Sequence, residues 1–292
     1  MAVFNLKKKI NKNITLLTIL IILVILFLTI SIIGIYYLKN RSRNIFDLDD
    51  TIIYYINLDR SVKRKINAEK MLKNNDLIGN RITGVDGKKI NIDDEKYKKY
   101  FKKSKVAYNN YKEDYDSDKV NIGHFGCFLS HMKTYETFLK TNYKYAIIFE
   151  DDMEIHDFKH KLNKNIKNIP KDWDIILMQY NIREDQSNNS KFELNNNILK
   201  INGNFTGTAG YIINRNSAKI LLKELEDHSW YIDYKIGDLS KDNKLEIYGI
   251  YPPFVCQPAE GGINIPSLNL KLENNCDTSM GSVTWGLGDG NE

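Results

Sequence analysis

The first hydrophobic feature of the chain is a single unbroken run. Ile14 to Leu38 contains no charged side chain, about 25 positions, enough to cross a hydrocarbon core of about 30 Å as a helix. A cleaved signal peptide would have an apolar stretch of about 7–15 residues and a small-residue cleavage site, neither of which fits. The pattern predicts a transmembrane anchor over 14–38, preceded by a short basic tail over 1–13 and followed by a stalk over 39–50. Lys7, Lys8, Lys9 and Lys12 precede the run and Lys39, Arg41 and Arg43 follow it. That small surplus puts the N-terminus in the cytosol and the rest of a single-pass protein on the opposite side.

Beyond the stalk the spacing of apolar positions shortens and alternates between two periods. Thr51–Leu58 is a β-branched and aromatic run that predicts a buried strand. Ser61–Lys73 follows as a helix with Ser61 as N-cap and Ile66, Met71 and Leu72 as apolar positions. Arg81–Val85 reads as a strand ended by the turn pair Asp86-Gly87. Lys88–Lys119 is polar and rich in Tyr, Lys and Asp, a long surface excursion of the kind that is functional or mobile. Helical spacing returns over His124–Lys140. Strands follow at Tyr145–Phe149, Asp174–Met178, Ala209–Ile213 and Leu245–Tyr251, the last stopped by Pro252-Pro253, with a helix at Ala218–Leu225. Strands alternating with helices predict one α/β domain over 51–273 with a largely parallel sheet. The Gly-, Asp-, Ser- and Asn-rich stretch 274–292 reads as a flexible tail.

Composition narrows the class. Of 292 residues, 27% are charged and 42% hydrophobic, as in a folded protein. The net charge of +5 comes from basic residues scattered along the chain. No Lys/Arg stripe interleaves with aromatics on one element, so nucleic acid is not an expected partner. The cysteines, Cys127, Cys256 and Cys276, form no CxxC pair, which leaves zinc-ribbon and thioredoxin chemistry without support. Three unpaired thiols are expected, a disulfide requiring an oxidising compartment.

The most informative local feature is the strand Tyr145–Phe149 running directly into Glu150-Asp151-Asp152. Ligands of open α/β sheets bind at the carboxyl ends of strands. On an extended chain Glu150 and Asp152 share a face and Asp151 points the other way. Adjacent carboxylates repel unless a cation offsets them, and hard oxygen ligands suit Mg²⁺ or Mn²⁺ completed by substrate phosphates. A solvated acidic turn is the alternative for this segment taken alone.

The order of motifs adds a resemblance. INLDRSVKR (Ile56–Arg64), GVDGK (Gly84–Lys88), GHFGCFLSH (Gly123–His131), IIFEDDM (Ile147–Met153), GYIINRNSAKILL (Gly210–Leu222), YIDYKIGDL around Asp233 and YPPF (Tyr251–Phe254) occur in sequence. Together they resemble glycosyltransferase family 25, over about Ile52 to Phe254. One departure stands out: His124-Phe125 occupies the place where the family usually has Glu-Ile.

The resemblance implies a GT-A-type, Rossmann-like nucleotide-binding domain behind the anchor, and an inverting, metal-dependent enzyme. It would transfer a hexose, galactose or glucose, from a UDP-sugar to a glycan or hydroxylysine-type protein acceptor. It implies Asp152 as the principal ligand of Mn²⁺ or Mg²⁺, with Glu150 as a second ligand or a ribose contact and Asp151 orienting its neighbours. Asn57, Asp59, Arg60, Arg64, Asp86 and Ser130 would line the donor site. Asp233 is the candidate base, with Asp238 behind it, and His131 a second catalytic candidate; Gln257 or Glu260 could complete the metal site. A nucleotide-sugar-binding membrane protein without catalysis, and a metal-dependent UDP-sugar hydrolase, are the competing expectations.

Overall fold

The computed structural model describes residues 18–32, 46–91, 94–97, 100, 117–183, 190–225, 231–257 and 262–273. The chain forms two units, Met1–Ile45 and Phe46–Glu292. In the first, residues 18–32 form helix α1, and its large apolar side chains are exposed, Leu23 and Phe27 among them. A helix of that length reaches about 22 Å, and among the described residues no helix is long and apolar enough to cross a membrane. Residues 14–17 and 33–38 of the predicted anchor, the basic tail and most of the stalk lie outside the described residues.

In the second unit, β1 (Thr51–Asn57), α2 (Val62–Asn74) and β2 (Asn80–Thr83) open the domain. Helix α3 (Ser117–Leu139) leads to β3 (Tyr145–Glu150), a two-residue strand β4 (Glu154–Ile155) and α4 (Phe158–Ile166). Strand β5 (Ile175–Leu177), the hairpin β6 (Lys191–Asn195) and β7 (Ile198–Asn202), and β8 (Gly210–Asn214) follow. The chain continues through α5 (Arg215–Glu224), α6 (Ile232–Lys241), β9 (Ile247–Ile250) and β10 (Val255–Cys256) to the hairpin β11 (Gly262–Ile265) and β12 (Leu270–Glu273).

One eight-stranded sheet carries the unit, in the order β2-β1-β3-β8-β5-β9-β7-β6. Its central strands are apolar on both faces because both are covered, whereas the edge strands β2 and β6 are largely polar. Tyr54, Ile56, Ala146, Ile148, Tyr211 and Ile213 join the residues of α3, α5 and α6 in one core. Ile53, Tyr55, Ile147, Phe149 and Ile212 join those of α2 and α4 in the other. Alternation within each strand thus divides the side chains between two layers, and the strands read as continuous hydrophobic runs.

The sheet is mixed, not largely parallel. β1 is parallel to β2 and β3, and β5 to β9, but β8 is antiparallel to both β3 and β5, and β7 to β9. A two-face-buried strand has the same composition in either direction, so strand direction had no signature in the pattern. The β6–β7 hairpin, absent from the predicted elements, turns at Asn196 and Asn197, whose φ values are +48° and +65°. Asn tolerates that left-handed region better than other side-chain-bearing residues.

Other differences are local. Ser61 occupies the N-cap of α2 but makes no side-chain capping bond. Helix α3 begins at Ser117, inside the expected surface excursion. Tyr97 and Tyr100 from that excursion lie edge-on to Phe125, each with centroids 5.6 Å apart. Residues 101–116 lie outside the described residues, as does the predicted flexible tail. Cys256 is disulfide-bonded, contrary to the expectation of free thiols, and Cys127 is free.

Two contacts fix α3 against the sheet. At its C-terminal end the Arg215 guanidinium donates to the carbonyls of Leu139 (2.8 Å), Thr141 (2.7 Å) and Tyr143 (3.2 Å), groups that a helix end and its exit turn leave unpaired. Near its middle, Ser130 Oγ accepts from Val85 N (2.8 Å) and donates to Gly126 O (2.6 Å). Gly126 permits this approach: a Cβ there would lie 2.6 Å from Val85 O and 3.0 Å from Gly87 N, both backbone atoms. Gly126→Ala is expected to destabilise the fold by roughly 1–3 kcal/mol through this overpacking. A lowered thermal midpoint checks it; an unchanged midpoint would show that the loop after β2 yields freely.

Candidate active site

The ends of several strands meet at one edge. β1, β3 and β5 run in the same direction, so Asn57, Glu150 and the residues after Leu177 lie at their carboxyl ends. Antiparallel β8 starts at that edge, and the segment leading into it, Thr206–Ala209, arrives there. Residue Gly207 has φ +97°, and a Cβ on it would sit 2.5 Å from the Gln179 side-chain amide. Gln179 Oε1 accepts from Ala209 N at 3.0 Å, which holds the segment in place.

All three acids of the cluster are buried. β3 ends at Glu150 and the chain then turns, Met153 N donating to Glu150 O at 3.3 Å. The extended-chain expectation, with Glu150 and Asp152 on one face, therefore fails, because the strand stops one residue too early. Glu150 Oε1 instead accepts from Thr208 Oγ1 (2.7 Å) and lies 3.3 Å from His131 Nε2. Asp151 accepts from Asn57 Nδ2 (2.7 Å) and Arg64 Nη1 (2.9 Å). Asp152 Oδ2 lies 3.5 Å from Arg64 Nη2 and accepts from Gln257 Nε2 at 3.2 Å. Its other oxygen, Oδ1, is buried with no hydrogen-bond partner among the described residues.

The electrostatics follow from this crowding. Burial, reinforced by the Glu150 carboxylate, pushes Asp152 up to about 7 despite Arg64. Burial also raises Asp151, against the pull of Arg64 and Asn57. Arg64 is held above its ordinary value because Asp152 and Asp151 outweigh the opposing effect of its own burial. An orphaned buried carboxylate oxygen inside a group of acids fits a bound cation, since an unpaired buried charge is otherwise costly. Asp152 and Glu150, both oxygen donors, suit Mg²⁺ or Mn²⁺.

Around this centre the structure places the remaining expected residues. Asn57 is fully buried, donates also to Ser61 O (3.0 Å) and accepts from Arg81 Nε (2.9 Å). Asp59 is paired with Arg81 at 2.7 Å, and Arg60 with Asp86 at 3.2 Å, on the rim beside β1 and β2. Arg64 lies among the acids, its side chain only 10% exposed. The hydroxyl of Ser130 is taken up by backbone groups. Asp233 lies in the first turn of α6 and is not its N-cap. Its carboxylate accepts from Gly207 N and Tyr234 N, both at 2.8 Å, and burial pushes it up to about 6. Asp238, further along the same helix, is raised by burial. Glu260 lies outside the described residues.

Several participants carried no signal in the sequence. Arg81 and Tyr211 lie inside predicted strands, and Gln179 and Thr208 just beyond strand ends, but the pattern marks none of the four as a site residue. Tyr211 Oη lies 2.7 Å from His131 Nδ1 and 2.8 Å from Tyr135 Oη, forming a chain of buried hydroxyls behind the histidine. Cys127 gains its place through the same helix: its thiol, a His131 ring nitrogen and a Glu150 oxygen all lie within 4.8 Å of one another. His124, the departure from the family pattern, rests on Tyr231 with centroids 4.2 Å apart, and burial pulls it down to about 4.

The raised Asp152 has a measurable consequence. A carboxyl whose folded value exceeds its unfolded value contributes stability at low pH and loses it as pH rises, here through about 7. Metal-free protein at pH 8 is therefore expected to melt below its Asp152→Asn variant, by on the order of 2 kcal/mol or several degrees. The difference should shrink as pH falls and vanish only below about pH 4, where the unfolded carboxyl is itself protonated, and added Mn²⁺ should raise only the wild type. A variant that melts lower at pH 8 in chelator contradicts this account of the acid.

Comparison with known sequences identifies the family. The sequence model described as Glycosyltransferase family 25 (LPS biosynthesis protein) matches residues 50–236. A "Glycosyltransferase 25 family member" of Anopheles gambiae is 28% identical over 178 residues, 59% of this chain and 28% of that protein. A "Procollagen galactosyltransferase 2" of Mus musculus is 29% identical over 135 residues, 43% of this chain and 20% of that protein. The chain thus matches less than a third of the length of these relatives. The matched residues include β1, the acid-bearing end of β3 and the start of α6 that carries Asp233, and with most of the chain inside that match, the protein belongs to glycosyltransferase family 25.

Proposed function

We propose that this chain is a membrane-tethered, inverting hexosyltransferase that uses a UDP-sugar and a divalent cation. The observation that carries the reading is the buried Glu150–Asp152 cluster, with Asp152 Oδ1 unpartnered, at the carboxyl edge of the sheet. Such a cluster repels a diphosphate by itself and accepts one through a cation. Asp152 and Glu150 would hold Mn²⁺ or Mg²⁺, which when bound offsets charge on the departing diphosphate. Asp151, Asn57 and Arg64 hold the acids in place. Arg60, Asp59 and Asp86 form the rim on which the nucleotide would lie.

Asp233 supplies the base. Its position in α6, with Gly207 N and Tyr234 N each on one oxygen, leaves lone pairs for an acceptor hydroxyl. The acceptor oxygen attacks the anomeric carbon as the bond to the UDP oxygen breaks, and the hydroxyl proton passes to Asp233. His131 keeps Glu150 oriented from behind. A procollagen galactosyltransferase among the relatives favours galactose and a protein or glycan hydroxyl as acceptor.

Support for the tether lies in the charge-free run 14–38 and in the exposed apolar side chains of α1. The disulfide at Cys256 suits a domain facing an oxidising compartment, opposite a cytosolic N-terminus.

UDP release from a panel of UDP-sugars, measured with Mn²⁺ and with peptide and glycan acceptors, tests the reading. One sugar should be used, with release stimulated by an acceptor and abolished by chelation. Release that ignores the acceptor would identify a hydrolase, and binding without release a non-catalytic protein. Because the base must be ionised, kcat/KM should rise with pH up to about 6 and then level. Asp233→Asn should lose about 10²–10⁴-fold in kcat/KM; an unchanged acid limb in that variant would remove Asp233 from the mechanism.

A further inference from the structure

Behind the acids lies a second group of potential ligands, of a different chemical kind. Cys127 and His131 are four residues apart on α3, so they share a face of the helix, the one turned to the end of β3. The thiol, a ring nitrogen and a Glu150 carboxylate oxygen all lie within 4.8 Å of one another. His131 Nε2 and Glu150 Oε1 are 3.3 Å apart. That is long for an N–H···O bond, and it equals the separation of about 3.3 Å expected between nitrogen and oxygen ligands at about 2.0–2.1 Å on a tetrahedral ion. Cys127 is in no disulfide. Behind the ring, His131 Nδ1 rests 2.7 Å from Tyr211 Oη, which is backed by Tyr135 Oη at 2.8 Å. An imidazole ligand characteristically has such a partner on its second nitrogen, fixing ring orientation and tautomer.

We propose that Cys127, His131 and Glu150 form a binding site for a thiophilic divalent cation of the zinc class. Sulfur, imidazole nitrogen and one carboxylate oxygen are three protein ligands, and a fourth position remains for water. The sulfur separates this site from the oxygen-donor site at Asp152, because Mg²⁺ and Mn²⁺ prefer oxygen. Binding replaces the thiol proton by the metal and releases that proton to solvent. Glu150 is common to both sites, so a cation of the zinc class draws its carboxylate towards α3. It should stabilise the α3–β3 junction and oppose Mn²⁺-dependent turnover.

Co²⁺ titration of the metal-free full-length protein, followed by absorption, tests the proposal with no reference to sugar transfer. The expected result is one equivalent giving a thiolate-to-cobalt band in the near ultraviolet and visible bands of tetrahedral intensity. Zn²⁺ should abolish both at one equivalent, and excess Mg²⁺ should leave them in place. Cys127→Ser, with wild-type circular dichroism, should lose the near-ultraviolet band. Absence of that band in folded wild type overturns the site, as does a band that survives in Cys127→Ser. If the variant does not fold, displacement by Mg²⁺ as readily as by Zn²⁺ on the wild type also overturns it. A positive optical result stands whether or not the protein transfers a sugar, so the two readings fail separately.

Discussion

The burial of Arg64 among three carboxylates is the constraint around which this domain is organised. Its guanidinium lies 2.9 Å from Asp151 and 3.5 Å from Asp152, and its side chain is only 10% exposed. Taking charges out of water costs several kcal/mol per ion, and a buried pair repays this only with good geometry and further hydrogen bonds. The fold supplies them to Asp151, from Asn57 at the end of β1. Asp152 receives less, one contact from Gln257 and one oxygen with no partner. One guanidinium cannot offset Glu150, Asp151 and Asp152 together. The folded protein therefore carries a local deficit of positive charge at the place where the sheet presents its loops, and in the proposed function a divalent cation removes it.

Geometry explains why this deficit is tolerated. Strands β1 and β3 are parallel neighbours with Ile56 opposite Glu150, so their ends deliver Asn57 beside Asp151 without any loop adjustment. α2 follows β1 directly and brings Arg64 up to the same acids in its first turn. On the other side, α3 is pinned by Ser130 and Gly126 against the loop after β2, which fixes how far His131 stands from Glu150. Thr206–Ala209, held between Gln179 and Asp233, closes the edge and brings the candidate base to the same region as the acids. Stability and site geometry are thus set by the same short list of contacts.

Much of the fold was legible in the sequence because apolar runs and turn residues report directly on burial. The strands at Thr51–Leu58 and Tyr145–Phe149 were placed within one residue, and the acids were found because they end an apolar run. Strand direction was not legible, since β8 is as apolar as its parallel neighbours would be. The β6–β7 hairpin was missed because Lys191–Asn202 alternates weakly and is half Asn and Lys in character. At the site, the identity of the acids could be read, but not their partners. Thr208 and Tyr211 reach Glu150 and His131 from a strand that is distant in sequence, and only the sheet order brings them there. The expectation that Glu150 and Asp152 share a face failed because it assumed that β3 continues past Glu150.

The central claim is that the acid cluster recognises a nucleoside diphosphate through a cation and not directly. Calorimetric titration of UDP into the full-length protein, with Mn²⁺ and with chelator, tests it most simply, alongside Asp152→Ala. The account predicts binding with Mn²⁺, none in chelator, and none in the variant under either condition. Equal affinity for UDP in chelator, or full Mn²⁺-dependent affinity in Asp152→Ala, would contradict it.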